Sequence, residues 1–562
     1  MMITSAELFV KALKAEQVDT LFAYPGGQAI DLFNALYSEN EIEVILPRHE
    51  QGLVHAADGY ARSTGKVGVC LVTSGPGATN LVTGIATANY DSVPLVCFTG
   101  QVPTGLIGND AFQEVDIAGI TRSICKYAVT VRRRDDLAAI IKKAFIIART
   151  GKPGVVVVDL PKDIQREYGS DDYPEKIEIR GYKQELSVPA GQIRKALEIL
   201  NHAKKPVFLI GGGVKISHAH SEMLKLAETT GVPVITTIMG KGAIPTTHDL
   251  YIGNIGIHGS YAANTAVSQC DLLFSIGTRF NDRITGKIGY FAAHATIIHI
   301  DIDSASVSRN IAVDISIAAD AKMAVSALLE KAQKLDTGEW LEQIKQWESQ
   351  YPVSMKTKGL TPEKIIKAIN HVFDNAIIAT DVGQNQLWAT QFLELNEKKQ
   401  MLTSGGLGTM GYGFPAAVGA KIGNPSKDVI VISGDGGMQM NIQEMATAVC
   451  YELPITICIL NNGYLGNVRQ WQEMFFDRRY ASTCMRYRKS CPKSCNSPTE
   501  CCPEYTPDFI KLAESYGAKA VRITKENEIA AALETAKHTL KVPTVIEFII
   551  EPEENVMPIV PP

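Results

Sequence analysis

Two short polar strings stand at the ends of apolar runs late in this 562-residue chain. Gly434-Asp435-Gly436 follows Asp428-Val-Ile-Val-Ile-Ser433, and Asn461-Asn462 follows Ile455-Thr-Ile-Cys-Ile-Leu460, with a 27-residue step from Asp435 to Asn462. Such runs predict buried parallel strands, and open α/β sheets bind their ligands at the carboxyl ends of those strands. A carboxylate at Asp435 and an amide oxygen at Asn462 suit a hard cation such as Mg2+, commonly shared with a phosphate group. Gly436 and Gly437 let backbone N–H groups approach a diphosphate closely. Either string alone is also an ordinary turn. The pairing of the two, each after a strand, points to cation and phosphate chemistry.

Other strings extend that chemistry. Glu50, in Pro47-Arg-His-Glu-Gln51, follows the strand-like Val44-Leu46 and begins a helix rich in small residues from Gly52 to Tyr60. An acid in a first helical turn favours the helix dipole, and one set against a ring can also donate and recover a proton. Ser74-Gly-Pro-Gly-Ala-Thr-Asn80, with Pro76 and Asn80, follows a strand and opens a helix. Gly383-Gln384-Asn385 follows the run ending near Thr380. Gly405-Gly-Leu-Gly-Thr-Met410 has the composition of a tight loop.

The elements that position these residues are predicted as three α/β blocks, because short β-branched runs alternate with helical patterns along the chain. The first has strands near Thr20-Tyr24, Val44-Leu46, Val67-Thr73, Leu95-Thr99 and Val155-Asp159; the second near Val207-Ile210, Val234-Thr237, Leu272-Ile276 and Ile297-Ile302; the third near Ala376-Thr380, Val429-Ser433, Ile455-Leu460 and Thr544-Ile549. The expected bounds are 1–165, 190–335 and 360–550, joined by a polar stretch, Gln165 to Ser187, and a charged helical one, Asp336 to Lys358. Thr4-Ser-Ala-Glu7 reads as a capping box opening an amphipathic helix through Leu13.

Composition narrows the class. Hydrophobic content of 45% and charge of 20% are ordinary for a globular protein. A formal net charge of −5 leaves no basic footprint for nucleic acid or an anionic membrane. No apolar run spans a bilayer, and the N-terminus lacks a basic-then-apolar signal layout. A cytosolic enzyme is the expectation. Of 11 cysteines, Cys70, Cys97, Cys125, Cys270, Cys450 and Cys458 are scattered, mostly in apolar runs where a thiol packs as a small hydrophobe.

The Asp435…Asn462 pair resembles the Gly-Asp-Gly…Asn-Asn signature of thiamine diphosphate enzymes. The resemblance narrows to acetohydroxyacid synthases (acetolactate synthases), catalytic subunits of the biosynthetic, FAD-containing type, and covers nearly the whole chain. It is carried by Tyr24-Pro-Gly-Gly27, Gly100-Gln-Val-Pro103, Asp110-Ala-Phe-Gln-Glu114, Arg279-Phe-Asn-Asp-Arg-Ile-Thr-Gly286 and Asn462-Gly-Tyr-Leu-Gly466 running to Gln470-Trp471. It implies three doubly wound domains (pyrimidine, central, diphosphate), decarboxylation of pyruvate, and transfer of the two-carbon unit to pyruvate or 2-ketobutyrate. The products are 2-acetolactate and 2-aceto-2-hydroxybutyrate, precursors of the branched-chain amino acids.

Site roles follow from the same resemblance. Glu50 is the acid beside the cofactor's aminopyrimidine, with Pro76 and Asn80 on the same side. Gly383, Gln384, Asn385, Gly436 and Gly437 hold the diphosphate, the Gly408 carbonyl accepts the amino group, and Met410 wedges the cofactor into its bent shape. Mg2+ falls to Asp435, Asn462 and the backbone carbonyl of Tyr464. Gly27, Phe112 and Gln113 face the reacting atoms; Arg283 holds the second keto acid's carboxylate, and Trp471, Ile257 and Lys162 complete the substrate pocket. FAD, structural in this family, is assigned to Lys152, Gly211, Gly212, Gly213, Thr237, His258, Arg279, Arg283, Asp301 and Asp320. Three residues depart from the family pattern: Lys152 for an arginine, Asn281 for an acid and Ile257 for a methionine. Glu50 lies 385 residues before Asp435, and the family builds each site between two subunits, implying a homodimer or tetramer. A small regulatory subunit is a further implied partner, although no residue specifies one.

Rivals are a flavin-free catabolic acetolactate synthase, a pyruvate oxidase, and a silent subunit that only binds cofactors; Glu50 counts against a glyoxylate carboligase. The clearest departure from the family is an insert, 484–502, holding Cys484, Cys491, Cys495, Cys501 and Cys502. Its spacing is that of no standard zinc ribbon. Thiols beside Arg486, Arg488 and Lys489 leave two readings open, a metal or redox centre and a plain reduced loop.

Overall fold

The computed structural model describes residues 1–182, 187–355, 359–492 and 502–559. Three six-stranded sheets, each parallel throughout, succeed one another along the chain. In spatial order the first runs Glu43–Ile45, Thr20–Ala23, Gly68–Val72, Leu95–Gln101, Val155–Pro161 and Tyr127–Thr130. The third repeats its connections with Gln400–Leu402, Ala376–Thr380, Asp428–Gly434, Ile455–Asn461, Thr544–Ile549 and Lys519–Ile523. The second runs Tyr251–Asn254, Val234–Thr236, Pro206–Ile210, Leu272–Ile276, Thr296–Asp301 and Ile315–Ala318, the strand order of dinucleotide-binding sheets. The fold is the expected α/β arrangement of doubly wound sheets.

Continuous apolar runs form the central strands because both faces of each sheet are covered. In the first sheet Leu71, Phe98 and Val156 pack into one core while their neighbours Cys70, Cys97 and Val155 pack into the other. The third sheet divides likewise, with Ile430 and Phe548 on one side and Val431 and Val545 on the other. Cys70, Cys97, Cys270 and Cys458 are buried as expected, whereas Cys125 is half-buried and Cys450 exposed.

The parallel strands that sequence reading omits are all at edges: Tyr127–Thr130, Tyr251–Asn254, Ile315–Ala318, Gln400–Leu402 and Lys519–Ile523. An edge strand has a neighbour on one side only and is partly solvated, so it carries no long apolar run. The first connector differs from expectation, while the second is helical as expected but packs into the central core. Tyr168–Ser170, inside the first, pairs antiparallel with Met2–Thr4. The second contains the helix Gly338–Gln350, whose Trp340 and Ile344 are buried in the central core, with Trp340 Nε1 donating to the Pro206 carbonyl at 3.2 Å. The capping box forms as read: Glu7 N–H donates to Thr4 Oγ1 at 3.2 Å and Thr4 N–H to Glu7 Oε2 at 2.7 Å.

The helix Glu50–Thr64 of the first unit lies against the helix Gly413–Gly423 of the third, backbone on backbone. A Cβ at Gly59 would fall 2.0 Å from the Ala416 carbonyl oxygen, and one at Gly419 would fall 1.8 Å from that of Ala56. Gly419→Val should therefore force the helices apart and cost about 1–3 kcal/mol or more. A lowered thermal midpoint is expected; an unchanged one would contradict the contact.

Candidate functional site

The third sheet builds one polar cluster at the carboxyl ends of its strands. Asp381 leaves Ala376–Thr380 and accepts N–H bonds from Val382 at 2.8 Å, Gly411 at 3.0 Å and Gly413 at 3.1 Å. Burial nevertheless pushes its carboxyl up to about 6. These bonds tie the loop holding Gly408 and Met410 to the turn at Gly383, and Gly437 packs so tightly on Asp381 that a Cβ there would lie 2.2 Å from Oδ1. Asp435 is buried, its Oδ2 has no hydrogen-bond partner, and burial pushes its carboxyl up to about 7. A carboxylate so placed has lost water without gaining a full set of partners, a state a bound cation relieves. Asn462 Oδ1 accepts the Tyr464 N–H at 3.0 Å, bending the chain back beside Asp435.

Gln384 and Asn385 turn out to have scaffold duties. Gln384 Nε2 donates to Gln470 Oε1 at 3.0 Å and to the Glu554 carbonyl at 3.1 Å, while its Oε1 accepts from Asn462 Nδ2 at 3.1 Å. Asn385 Nδ2 donates to the Asp381 and Ile432 carbonyls at 2.8 and 3.0 Å. What this turn offers a diphosphate is chiefly backbone N–H groups.

The first sheet builds a second cluster. Glu50 begins its helix half-buried, and its Oε2 accepts from Asn80 Nδ2 at 2.9 Å. Gly75, beside Pro76, crowds Gln113, whose carbonyl oxygen would lie 2.9 Å from an added Cβ. Lys162 Nζ donates to the Gly27 carbonyl at 2.6 Å. Phe112, expected at the reacting atoms, is 84% exposed in the single chain.

The two clusters are held in fixed relation. Glu444, buried in the third unit, accepts the N–H groups of Arg48 and His49 at 3.1 Å each, just ahead of Glu50. Asp91 accepts from Arg62 Nη2 at 3.0 Å and from the Gly405 and Gly406 N–H groups at 3.2 and 2.8 Å. Tyr412 donates to Asp58 at 2.6 Å.

A cavity of about 1410 Å³ runs between the units. From the central sheet it is lined by Gly212, Gly213, Thr237, Ile257, His258, Arg279, Asn281, Arg283, Asp301 and Asp320, and from the first unit by Lys152. Its deep end is the crevice where the strand order of the central sheet reverses. There Gly211 and Gly277 pack back to back, a Cβ at Gly211 falling 2.1 Å from the Gly277 oxygen. A dinucleotide fits this place, since a glycine-rich turn after the first strand of such a sheet admits its diphosphate. Asp320 caps its own helix through the Met323 N–H at 3.1 Å, Asp301 Oδ1 accepts the Asp303 N–H at 2.8 Å, and Lys152 Nζ lies 3.2 Å from Asp303 Oδ2. At its other end the cavity meets Gly383, Gly408 and Trp471, over whose ring the Arg283 guanidinium sits at 5.6 Å. Arg283 also lies 3.7 Å from Asp282, so it takes the expected pocket position and an ion pair together.

The lining thus gathers the central-sheet residues with Gly383, Gly408 and Trp471, but not Glu50, Gly27, Pro76, Asn80, Phe112, Gln113 or Lys162. Met410, Asp435, Asn462 and Tyr464 also stand outside that lining, so the two polar clusters flank the cavity without sharing it. Sequence reading missed Asp381, Glu444, Arg62 and Asp91; the one local signal was Asp381 at a strand end two residues before Gly383. Cys484 and Cys491 carry free thiols, and both, like Cys502, are half-buried. Cys495 and Cys501 lie outside the described residues, within which no metal-holding group of His, Cys, Asp or Glu occurs. Nor is any helix there long and apolar enough to cross a membrane.

The chain matches the thiamine pyrophosphate enzyme N-terminal TPP binding domain over residues 3–120, the central domain over 193–328 and the C-terminal TPP binding domain over 381–548. It is 45% identical to a probable acetolactate synthase large subunit of Methanococcus aeolicus, across 100% of this chain and 94% of that one. Identity is 43% to the acetolactate synthase large subunit of Corynebacterium glutamicum, across 99% and 88%. It is 40% to the acetolactate synthase isozyme 3 large subunit of Escherichia coli, across 99% and 96%.

Glu444→Ala would strand the Arg48 and His49 N–H groups in a packed interface, at about 1–3 kcal/mol. A clear drop in thermal midpoint is expected, and a smaller one for Glu444→Gln, which keeps one acceptor. Equal stability of all three proteins would remove Glu444 from this role.

Proposed function

The chain belongs to the acetolactate synthase large-subunit family of thiamine pyrophosphate enzymes, and on that premise we propose that it condenses pyruvate with a second 2-keto acid. The products are 2-acetolactate from pyruvate and 2-aceto-2-hydroxybutyrate from 2-ketobutyrate, in branched-chain amino-acid synthesis. The observation that carries the reading is Asp435: a buried carboxylate with an unpartnered oxygen, beside Asn462 and glycine N–H groups at parallel strand ends.

Thiamine diphosphate, when bound, supplies the carbon nucleophile and electron sink for loss of carbon dioxide from pyruvate. Asp435, Asn462 and the Tyr464 carbonyl would hold Mg2+, and backbone N–H groups at Gly383–Asn385 and Gly436–Gly437 would receive the diphosphate. Glu50, oriented by Asn80, holds and returns a proton at its carboxyl oxygens. Gly27, Phe112 and Gln113 face the reacting groups, with Lys162 fixing the Gly27 carbonyl. Arg283 takes the second substrate's carboxylate through its guanidinium fork, and Trp471 and Ile257 wall the apolar side. Discrimination of one methylene is worth about 1–3 kcal/mol, so a preference for 2-ketobutyrate is expected over exclusivity.

FAD belongs in the central crevice, against Gly211–Gly213, Thr237, His258, Arg279, Asp301 and Asp320. Lys152 serves there as a point charge in place of a planar fork. The reaction has no net redox change, so the flavin is structural. The division into half-sites supports a working unit of at least two copies, each completing the other's site. A small regulatory subunit joins as a further partner, and the location is the cytoplasm. The domain bounds are 1–165, 190–335 and 360–550. Bound flavin would argue against the catabolic synthase, and acetolactate formation without oxygen consumption against a pyruvate oxidase. Glu50, Asp435, Asn462 and Arg283 are all present, which counts against a silent subunit.

Glu50→Gln tests the assignment. Cofactor binding should persist while acetolactate formation falls about 10²–10⁴-fold. Near-normal turnover would overturn the role of Glu50, and no keto-acid product from wild type would overturn the function.

A further inference from the structure

The cysteine-rich insert has no part in the chemistry above, yet its returning stem reaches Asp435 and its entering stem crosses the turn that follows Asn462. On the entering stem, Leu465 N–H donates to the Thr483 carbonyl and Met485 N–H to the Gly463 carbonyl, both at 2.9 Å, pairing Tyr464 with Cys484 antiparallel. This ladder places Arg486 directly over the turn that follows Asn462. Gly463 is left-handed there, at φ +74°, and a Cβ on it would lie 2.6 Å from Arg486 Nε. Only glycine lets the arm cross. On the returning stem, the Tyr505 hydroxyl accepts from Gln439 Nε2 at 2.8 Å and hydrogen-bonds Asp435, its ring stacked on Phe509 at 5.8 Å. Arg488 Nη2 closes the neck, donating to the Glu504 carbonyl at 3.1 Å and to Thr506 Oγ1 at 2.9 Å.

Arg486 crosses the turn after Asn462 without pairing to Asp435. Among the described residues, Arg486 Nε is buried with no hydrogen-bond partner, and so is Asp435 Oδ2. Among the described residues no ion pair joins the two. A guanidinium beside a metal-holding carboxylate repels a divalent cation by itself. It becomes favourable only when an anion arrives with the metal, and a diphosphate is such an anion.

We propose that the neck of the insert belongs to the cofactor pole, with Arg486 supplying a cationic contact to the metal-bound diphosphate. The inference rests on the thiamine diphosphate reading above and adds to it a residue from outside the motif strings. Arg486 is a binding residue for the anion, and the neck hydrogen bonds position it.

Three full-length proteins stripped of cofactor test this: wild type, Arg486→Gln and Arg486→Lys. Each is titrated with Mg2+-saturated inorganic diphosphate by calorimetry, and with Mn2+ alone by electron paramagnetic resonance. Loss of a charge-assisted contact should weaken diphosphate binding about tenfold or more in Arg486→Gln. Arg486→Lys should recover part of the loss, and Mn2+ alone should bind as tightly as in wild type or tighter. Equal diphosphate affinity in wild type and Arg486→Gln would overturn the proposal. Parallel weakening of Mn2+ and diphosphate would overturn it too, because that marks a collapsed turn. Wild type that binds no Mg2+-diphosphate at all would bring down the cofactor reading beneath it.

Discussion

The contact on which the rest of the structure depends is the one between the helices Glu50–Thr64 and Gly413–Gly423. Glycines at 59 and 419 let two backbones touch, leaving almost no freedom in how the first sheet sits against the third. Around that contact part-buried polar bonds add their hold: Glu444 fixes the approach to Glu50, and Asp91 fixes the glycine loop ahead of Gly408. Each helix thus starts beside a functional loop, and neither loop can shift without breaking one of these bonds. Interiors packed this tightly hold positions to a fraction of an ångström, as catalysis requires.

That rigidity has a consequence for assembly. Glu50 and its neighbours, like Asp435, Asn462 and Met410, stand outside the lining that holds Gly383, Gly408 and Trp471, so no one cavity of the chain joins the two clusters. The first and third sheets share one strand order, so the chain carries two similar units able to face their counterparts on a second copy. The exposed ring of Phe112 fits this picture, because a large apolar side chain 84% open in one chain gains most from being covered in another. The central sheet has a different strand order and a different task. Its reversal point opens the deep end of the cavity, and its loop at Arg283 reaches across to Trp471.

Much of this was legible in the sequence, for a physical reason. Central strands of parallel sheets are buried on both faces, so Val155–Pro161 and Ile455–Asn461 announce themselves as apolar runs, and the polar residues ending them mark the site. Edge strands such as Lys519–Ile523 carry no such run. The long-range polar bonds were also illegible: Glu444 meets Arg48 across 396 positions, and no local pattern encodes that meeting. Gln384 and Asn385 were found through their place after a strand, but their side chains hold the scaffold. Arg486 was noticed only as a neighbour of thiols. Its position over Gly463 depends on a bridge between Tyr464 and Cys484 that spacing alone does not reveal.

On the proposed function, each chain holds two half-sites that complete their counterparts on a second copy. Coexpression of Glu50→Gln with Asp435→Asn, each inactive alone, tests it most directly. A hybrid dimer then has one site carrying both lesions and one carrying neither, so purified hybrids should regain about half the acetolactate-forming activity of wild type, a single intact site each. If both half-sites belonged to one chain, every site would keep a lesion. Hybrids as inactive as their parents would contradict the account.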